Sequence, residues 1–154
     1  MRDPGRPPTA DRLVVHRLTT GDEAEVVAAA HLFDHPPERA WTDRFLREPT
    51  HHLLVAYREG VPAGFISGVE MIHPDKGTEM FLYELAVAPE WRRQGIAKAL
   101  IEELVSLAKQ TGCYGMWVLT DDDNEAALAS YPSAGGKPSP QVMFAWTFQE
   151  ERPA

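Results

Sequence analysis

The stretch 78–111 constrains the fold most, because a strand, a turn and an amphipathic helix follow one another there directly. Residues 78–87 (TEMFLYELAV) are rich in residues that favour strands, and Pro89 ends the run. The segment 95–111 predicts a long helix with one apolar stripe, formed by Ala97, Leu100, Ile101, Leu104 and Ala108. Gly112 suits the position just after the helix. A strand that leads into a helix in this way indicates an α/β domain.

The rest of the chain extends this pattern. Alternating and β-branched runs predict strands at 13–18, 51–57, 63–72, 114–120 and 141–148. Helices are expected within 20–33, over 39–48 and in the second half of 121–130. The order β-α-α-β-β-β-α-β-α-β predicts one mixed α/β domain over residues 12–150. Residues 1–11, rich in proline, glycine and charge, are expected to be a disordered tail.

Composition excludes several classes of protein. The 154-residue chain has a net charge of −8, which argues against a nucleic-acid partner and mildly favours a cationic ligand. The alternative is an acidic surface that serves solubility alone. Its single cysteine, Cys113, allows no intrachain disulfide. No segment resembles a secretory signal or a membrane span, so we expect a cytoplasmic protein without a membrane partner. The adjacent pair His51 and His52 would point to opposite faces of a strand, and no metal site is expected.

The turn between strand and helix carries the first functional signal. Arg92, Gly95 and Ala97 stand at R-x-x-G-x-A spacing, with Arg93 and Lys98 adding positive charge. Free N–H groups at a helix start, a glycine that lets a ligand approach and flanking cations together suit a pyrophosphate. The alternative is an ordinary strand–helix turn with solvated arginines.

This turn and a later segment together resemble the GCN5-related N-acetyltransferase (GNAT) family. VAPEWRRQGIA (87–97) is similar to the family's acetyl-CoA motif, and Asn124, Ala127 and Tyr131 match its N-x-x-A-x-x-x-Y segment. The resemblance covers about residues 13–148. It implies a single-domain α/β fold with a mixed, mostly antiparallel sheet, flanked by helices and split by a V-shaped cofactor cleft. It also implies acetyl-CoA as the cofactor, bound by Leu85, Ala86, Val87, Arg92, Arg93, Gln94, Gly95, Ile96, Ala97, Lys98, Asn124 and Tyr131.

A narrower resemblance points to the type I aminoglycoside 3-N-acetyltransferases. YELAV (83–87), the acidic residues Asp121 and Glu125, and Val142 with Met143 are similar to segments of that group. Glu84 stands where the group commonly has aspartate. The implied acceptor is an aminoglycoside amine at the 3-N position.

Glu84 is the candidate general base, because a protonated amine must lose a proton before it attacks a thioester. Regular strand alternation would place Glu84 on the face of Leu82 and Ala86, where partial desolvation raises a carboxyl pKa. The alternative is a glutamate at a bulge that reaches solvent or pairs with an arginine. A backbone N–H near Val87 is expected to hold the thioester oxygen.

Two other groups complete the predicted site. The GNAT resemblance makes Tyr131 the proton donor to the departing thiolate, although Pro132 indicates that Tyr131 lies at a helix end. The acceptor is expected to contact Tyr83, Glu84 and the acidic loop, namely Asp121, Asp122, Asp123 and Glu125. Asp123 and Asn124 have a simpler interpretation, as caps of the following helix.

Three functions remain open from the sequence. The first is an acetyl-CoA-dependent N-acetyltransferase of a small cationic amine such as an aminoglycoside. The second keeps the fold and the cofactor but uses another acceptor, for example a polyamine, an amino acid or a protein amine. The third is a non-catalytic acyl-CoA-binding module. The apolar segment 141–148 further predicts a homodimer.

Overall fold

The computed structural model describes residues 12–149, and the predicted tail at 1–11 lies outside this range. The strands are β1 (Val14–Leu18), β2 (His51–Arg58), β3 (Val61–His73), β4 (Gly77–Val87) and β5 (Met116–Trp117). The α-helices are α1 (Glu23–Ala28), α2 (Arg39–Arg47), α3 (Ile96–Gln110) and α4 (Glu125–Ser133). Short 3-10 turns occupy Ala30–Leu32 and Pro89–Trp91.

The five strands form one sheet in the order β1-β2-β3-β4-β5. The first three pairs are antiparallel, and β4 pairs with β5 in parallel. The parallel contact is limited to Met80 with Met116 and Phe81 with Trp117. The predicted mixed, mostly antiparallel sheet flanked by helices is therefore confirmed.

Each face of the sheet has its own hydrophobic core. On one face, Ile66 and Leu82 pack with Leu100 and Leu104 of α3. The approach is close, since a Cβ added at Gly68 would lie 2.9 Å from a Leu104 side-chain atom. The opposite face carries Leu53, Val55 and Phe65, which pack with residues of α1 and α2. Helix α3 thus covers one side of the sheet, and the α1–α2 segment covers the other.

Three predicted elements differ from the structure. The helix expected within 20–33 ends at Ala28, and the chain tightens into the 3-10 turn that buries Leu32. The strand expected at 114–120 is reduced to Met116–Trp117, because β4 and β5 pair at two positions only. The strand expected at 141–148 is absent from the described residues, where this segment is irregular and exposed. Alternation of apolar residues indicates a strand, but it cannot supply the neighbouring edge that a strand needs.

A buried histidine links β1, β2 and β3. The side chain of His52 is 1% exposed, and its Nε2 lies 2.7 Å from an oxygen of Glu70. Arg17 Nη2 lies 2.8 Å from His52 Nδ1. Because a guanidinium can only donate, Nδ1 must accept, and the neutral ring donates from Nε2 to Glu70. Burial is the main reason that the pKa of His52 is lowered.

Candidate active site

A β-bulge in β4 organises the site. Ser67 of β3 pairs with Glu84, but its neighbour Gly68 pairs with Leu82, so Tyr83 is an extra residue in β4. Leu82 points into the α3 core, whereas Tyr83 and Glu84 both line a pocket on the α1–α2 side. The expectation that Glu84 shares a face with Leu82 was therefore wrong. The extra residue interrupts the alternation of side chains between the two faces of β4.

The bulge also changes which backbone amides face β5. Before it, the Met80 N–H bonds to the Gly115 carbonyl on the β5 side. After it, the Ala88 N–H bonds to the Ala63 carbonyl on the β3 side. Since strand amides alternate in direction, the N–H groups of Leu85 and Val87 point away from β3, towards the region where β5 no longer pairs. The predicted amide near Val87 is thus directed into the gap between the two strands.

The turn after β4 fits a pyrophosphate. Gly95 is the N-cap of α3 in the left-handed conformation (φ 77°), and no side chain caps this helix start. The first turn of α3 contains no acidic residue. A Cβ at Gly95 would meet no atom within 4 Å, so the space beside its backbone is open. An uncapped 15-residue helix with an open glycine start is a ready anion site.

The cations around this turn are exposed. Arg92 donates from Nε to the Val87 carbonyl at 3.4 Å, which brings its guanidinium beside the gap. Arg93 takes a left-handed backbone conformation (φ 61°). On the surface of α3, Lys98 Nζ lies 3.8 Å from Glu102 Oε1. The chemistry and placement of these residues fit the phosphates of CoA.

Glu84 lines a pocket of about 290 Å³ between α2 and the sheet. Burial by the surrounding protein raises the pKa of Glu84 above its usual value, and the negative charge of Asp34 raises it further. Glu84 is still exposed to the open pocket, so an acceptor can reach its carboxylate. The pocket is lined by Val26, Phe33, His35, Pro37, Glu38, Trp41, Thr42, Phe45, Leu46, Leu53, Phe65, Ser67, Tyr83 and Glu84.

Most of this lining was not found from the sequence. Trp41 and Phe45 share one side of α2 at i, i+4 spacing, and this pair was the available signal. Phe33, His35 and Glu38 come from the connection before α2 and carry no such pattern. A larger groove, of about 590 Å³, lies along α1 and α2 but does not include Glu84. Of these two pockets, only the smaller one contains Glu84.

Tyr131 lies in the last turn of α4, as Pro132 indicated, because the helix ends at Ser133. The Gly136 N–H bonds to the Tyr131 carbonyl at 2.9 Å, and Gly135 has a φ of 95°. These features close the helix in a Schellman-type turn. Tyr131 is half-buried and packs against the α3 core. Burial raises the pKa of its hydroxyl, which keeps the hydroxyl protonated and able to donate.

The acidic loop does not join the Glu84 pocket. Asp121, Asp122, Asp123 and Glu125 are all exposed, and none of them lines that pocket. The side chain of Asn124 accepts a hydrogen bond from the Ala127 N–H at 3.1 Å, so Asn124 caps α4. A role of the loop in acceptor binding and of Asn124 in cofactor binding stays a prediction.

Comparison with known proteins identifies the family. The model of the Acetyltransferase (GNAT) family matches residues 18–135, and the chain belongs to this family. N-alpha-acetyltransferase RimI of Mycobacterium tuberculosis (strain ATCC 25618 / H37Rv) is 31% identical over 132 residues, which are 82% of this chain and 81% of that protein. The [ribosomal protein bS18]-alanine N-acetyltransferase of Escherichia coli (strain K12) is 37% identical over 57 residues, or 37% of this chain. That match spans only 38% of the length of the Escherichia coli protein.

Solved structures confirm the fold. The aminoglycoside acetyltransferase meta-AAC0020 from an uncultured soil metagenomic sample superposes with a TM-score of 0.81 at 24% identity, covering 89% of this chain and 97% of that one. Aminoglycoside N-acetyltransferase AAC(6')-Iy, solved with CoA, has a TM-score of 0.77 at 20% identity, and the match covers 94% of this chain and 100% of that one. The predictions of a GNAT fold and of an acetyltransferase family are confirmed. Within residues 12–149, no helix is both long and apolar enough to cross a membrane.

Proposed function

We propose that this protein transfers the acetyl group of acetyl-CoA to a primary amine of a small cationic acceptor. The observation that carries the proposal is the bulge in β4. It places Glu84 in a pocket on one side of the strand, while the amides of Leu85 and Val87 face the gap beside the cofactor turn. In this proposal the base and the oxyanion-binding amide act on one acetyl group from two sides of β4. The domain that carries the reaction spans residues 12–150.

Each residue has a distinct role in this reaction. Acetyl-CoA supplies an activated acyl group and a thiolate leaving group. The turn from Arg92 to Lys98 binds its phosphates, and the Val87 N–H donates to the thioester oxygen as negative charge develops there. Glu84 accepts the proton of the acceptor ammonium, which frees the nitrogen lone pair for attack. Tyr131 donates a proton to the departing sulfur.

Aminoglycosides are one class of acceptor to test. The resemblance in YELAV favours the 3-N amine, and the structural neighbours include aminoglycoside acetyltransferases. Glu38 and Glu84 line the pocket, and the charge of Asp34 acts on Glu84, so the site favours a cation. Acetylation of an aminoglycoside would give antibiotic resistance. A cytoplasmic location accords with the use of acetyl-CoA.

A peptide α-amine is the second candidate acceptor. The observation that favours it is the 31% identity with N-alpha-acetyltransferase RimI, which extends over 82% of this chain. Structural likeness to aminoglycoside enzymes does not decide between the two, because one fold carries many acceptor specificities.

Thiol release from acetyl-CoA in the presence of separate pools of aminoglycosides, polyamines, amino acids, short peptides and arylalkyl amines tests the function. We expect release with at least one pool and a strong loss in Glu84→Gln. A protein that binds CoA in calorimetry but releases no thiol with any pool would instead be a non-catalytic acyl-CoA-binding module.

We further propose a homodimer, formed through the segment 141–148. Val142, Phe144, Trp146 and Phe148 alternate along this segment and are 76–92% exposed. Apolar side chains exposed in such a row usually need a covering partner. Light scattering at micromolar concentration should give about twice the 17.2 kDa of one chain.

A double variant, Phe144→Ser with Trp146→Ser, should be monomeric, whereas Ile72→Ser should stay dimeric. Ile72 is a suitable control because it is 72% exposed on β3 and lies outside this segment. A wild-type mass of one chain would refute the homodimer.

A further inference from the structure

The Glu84 pocket has an apolar floor and a mixed rim. Five of its lining residues are buried, with exposures between 2% and 8%: Val26, Leu46, Leu53, Phe65 and Ser67. Four of these five side chains are apolar, and the only polar group among them is the Ser67 hydroxyl. The acidic residues that line the pocket, Glu38 and Glu84, are exposed and belong to the rim. The buried floor of the pocket therefore favours an apolar group, and the rim favours a cation.

Aromatic side chains surround this floor. Trp41 and Tyr83 are each 61% exposed, and they line the pocket from α2 and β4, respectively. Phe33 and Phe45 are half-buried and complete the walls with Phe65. The Arg44 guanidinium lies 5.9 Å from the centre of the Trp41 ring but does not line the pocket. The indole is thus held from outside, by a cation–π contact, and remains available to a ligand inside.

The size of the pocket limits what can enter. A cavity of about 150 Å³ accommodates one benzene ring. A pocket of about 290 Å³ therefore takes one ring and a short linker. It lies at the lower end of the range for small-molecule sites, roughly 300–1,000 Å³.

We infer that the acceptor is a primary amine attached through a short linker to one apolar or aromatic group. This inference rests on the proposed transferase function and specifies its acceptor. The apolar group enters the floor between Trp41 and Phe65, and the amine stays at the rim beside Glu84. A ring with several hydroxyls fits less well, because its hydroxyls would lose water and find one polar floor residue, Ser67. The structure thereby ranks aminoglycosides below arylalkyl amines as occupants of this pocket.

A matched series of amines tests the inference. 2-Phenylethylamine, ethanolamine, spermidine and kanamycin are compared by kcat/KM for thiol release and by calorimetry with CoA present. We expect 2-phenylethylamine to exceed ethanolamine by about 10-fold to 100-fold in kcat/KM, the usual discrimination by an apolar pocket. Kanamycin or spermidine as the preferred acceptor would overturn the inference and leave the transferase function intact.

The variant Trp41→Ala tests the wall, since this residue is exposed and its removal is expected to leave the fold unchanged. It should raise KM for 2-phenylethylamine about tenfold or more and lower the preference for 2-phenylethylamine over ethanolamine, as the ratio of the two kcat/KM values, by a similar factor. Trp41→Phe should restore most of this preference. Ile72→Ala removes an equally exposed apolar side chain elsewhere and should change neither amine. An unchanged preference in folded Trp41→Ala would contradict the inference.

The two proposals fail in different ways. If 2-phenylethylamine binds in calorimetry but no amine releases thiol, the transferase function fails and the assignment of the pocket holds. If thiol is released but every amine reacts at a similar kcat/KM, the apolar floor does not select the acceptor. Absence of both binding and release would refute both.

Discussion

Replacing Glu84 by glutamine removes the proposed base and keeps the shape of its side chain. Glutamine cannot take a proton from the acceptor ammonium, so kcat should fall by roughly 10²–10⁴ at neutral pH. The cofactor turn begins beyond the end of β4, and its glycine and cations do not involve Glu84. The affinity for CoA should therefore barely change, which separates the loss from misfolding.

The structure also predicts how the loss depends on pH. Burial and Asp34 raise the pKa of Glu84, so the base becomes protonated and inactive at a higher pH than a solvated glutamate would. In the wild type, kcat/KM should fall as the pH drops through this raised pKa. Glu84→Gln has no group to titrate there and should lose this acidic limb. Glu84→Asp keeps the carboxylate but places it one methylene farther from the acceptor. Its kcat should fall on the order of 10²-fold, because a displacement of about 1 Å can cost that much in rate.

Steady-state thiol release measured between about pH 5 and pH 9, with kcat and KM determined separately, decides the role of Glu84. The competing role is attraction of the cationic acceptor by charge alone. In that case Glu84→Gln would raise KM at nearly normal kcat, and the acidic limb would persist. A folded glutamine variant with the wild-type kcat across this range would refute the assignment of Glu84 as the base.

Three further predictions concern the cofactor turn, the acid and the buried histidine. Gly95→Val should weaken CoA binding in calorimetry by more than tenfold, about 1.4 kcal/mol, whereas Gly60→Val, at an equally left-handed glycine in a distant hairpin turn, should not. Tyr131→Phe should lower kcat less than Glu84→Gln does, since water can protonate a thiolate. A loss of kcat larger than that of Glu84→Gln would mean that water cannot replace the Tyr131 hydroxyl. The pKa of His52 is lowered in the fold, so the unfolded chain binds a proton that the folded chain does not once the pH falls below about 6.5. Thermal unfolding should therefore show stability lost between pH 6.5 and the lowered pKa, and His52→Gln should remove this part of the pH dependence; equal slopes in both proteins would contradict it.

The elements that could be predicted correctly from the sequence are those with local signals. The strand at 78–87, the turn with Arg92 and Gly95 and the helix after it were all predicted, and the structure places them at Gly77–Val87 and Ile96–Gln110. Hydrophobic periodicity, a proline that ends a strand and a glycine at a helix start act within a few residues, so they can be recognised in a linear chain. The position of Tyr131 in the last turn of α4 was indicated in the same way by Pro132.

The face of β4 that carries Glu84, and the residues around it, depend on contacts between distant parts of the chain. Tyr83 is an extra residue relative to β3, and one extra residue reverses every later side chain and amide along the strand. The pocket walls come from α1, α2 and the sheet, which are distant in sequence and meet through packing. The segment 141–148 has a strong apolar alternation that predicts a strand, and yet no strand forms there in the described residues. Register and pairing depend on a neighbouring strand, and a neighbouring strand is a property of the folded molecule rather than of any single stretch of sequence.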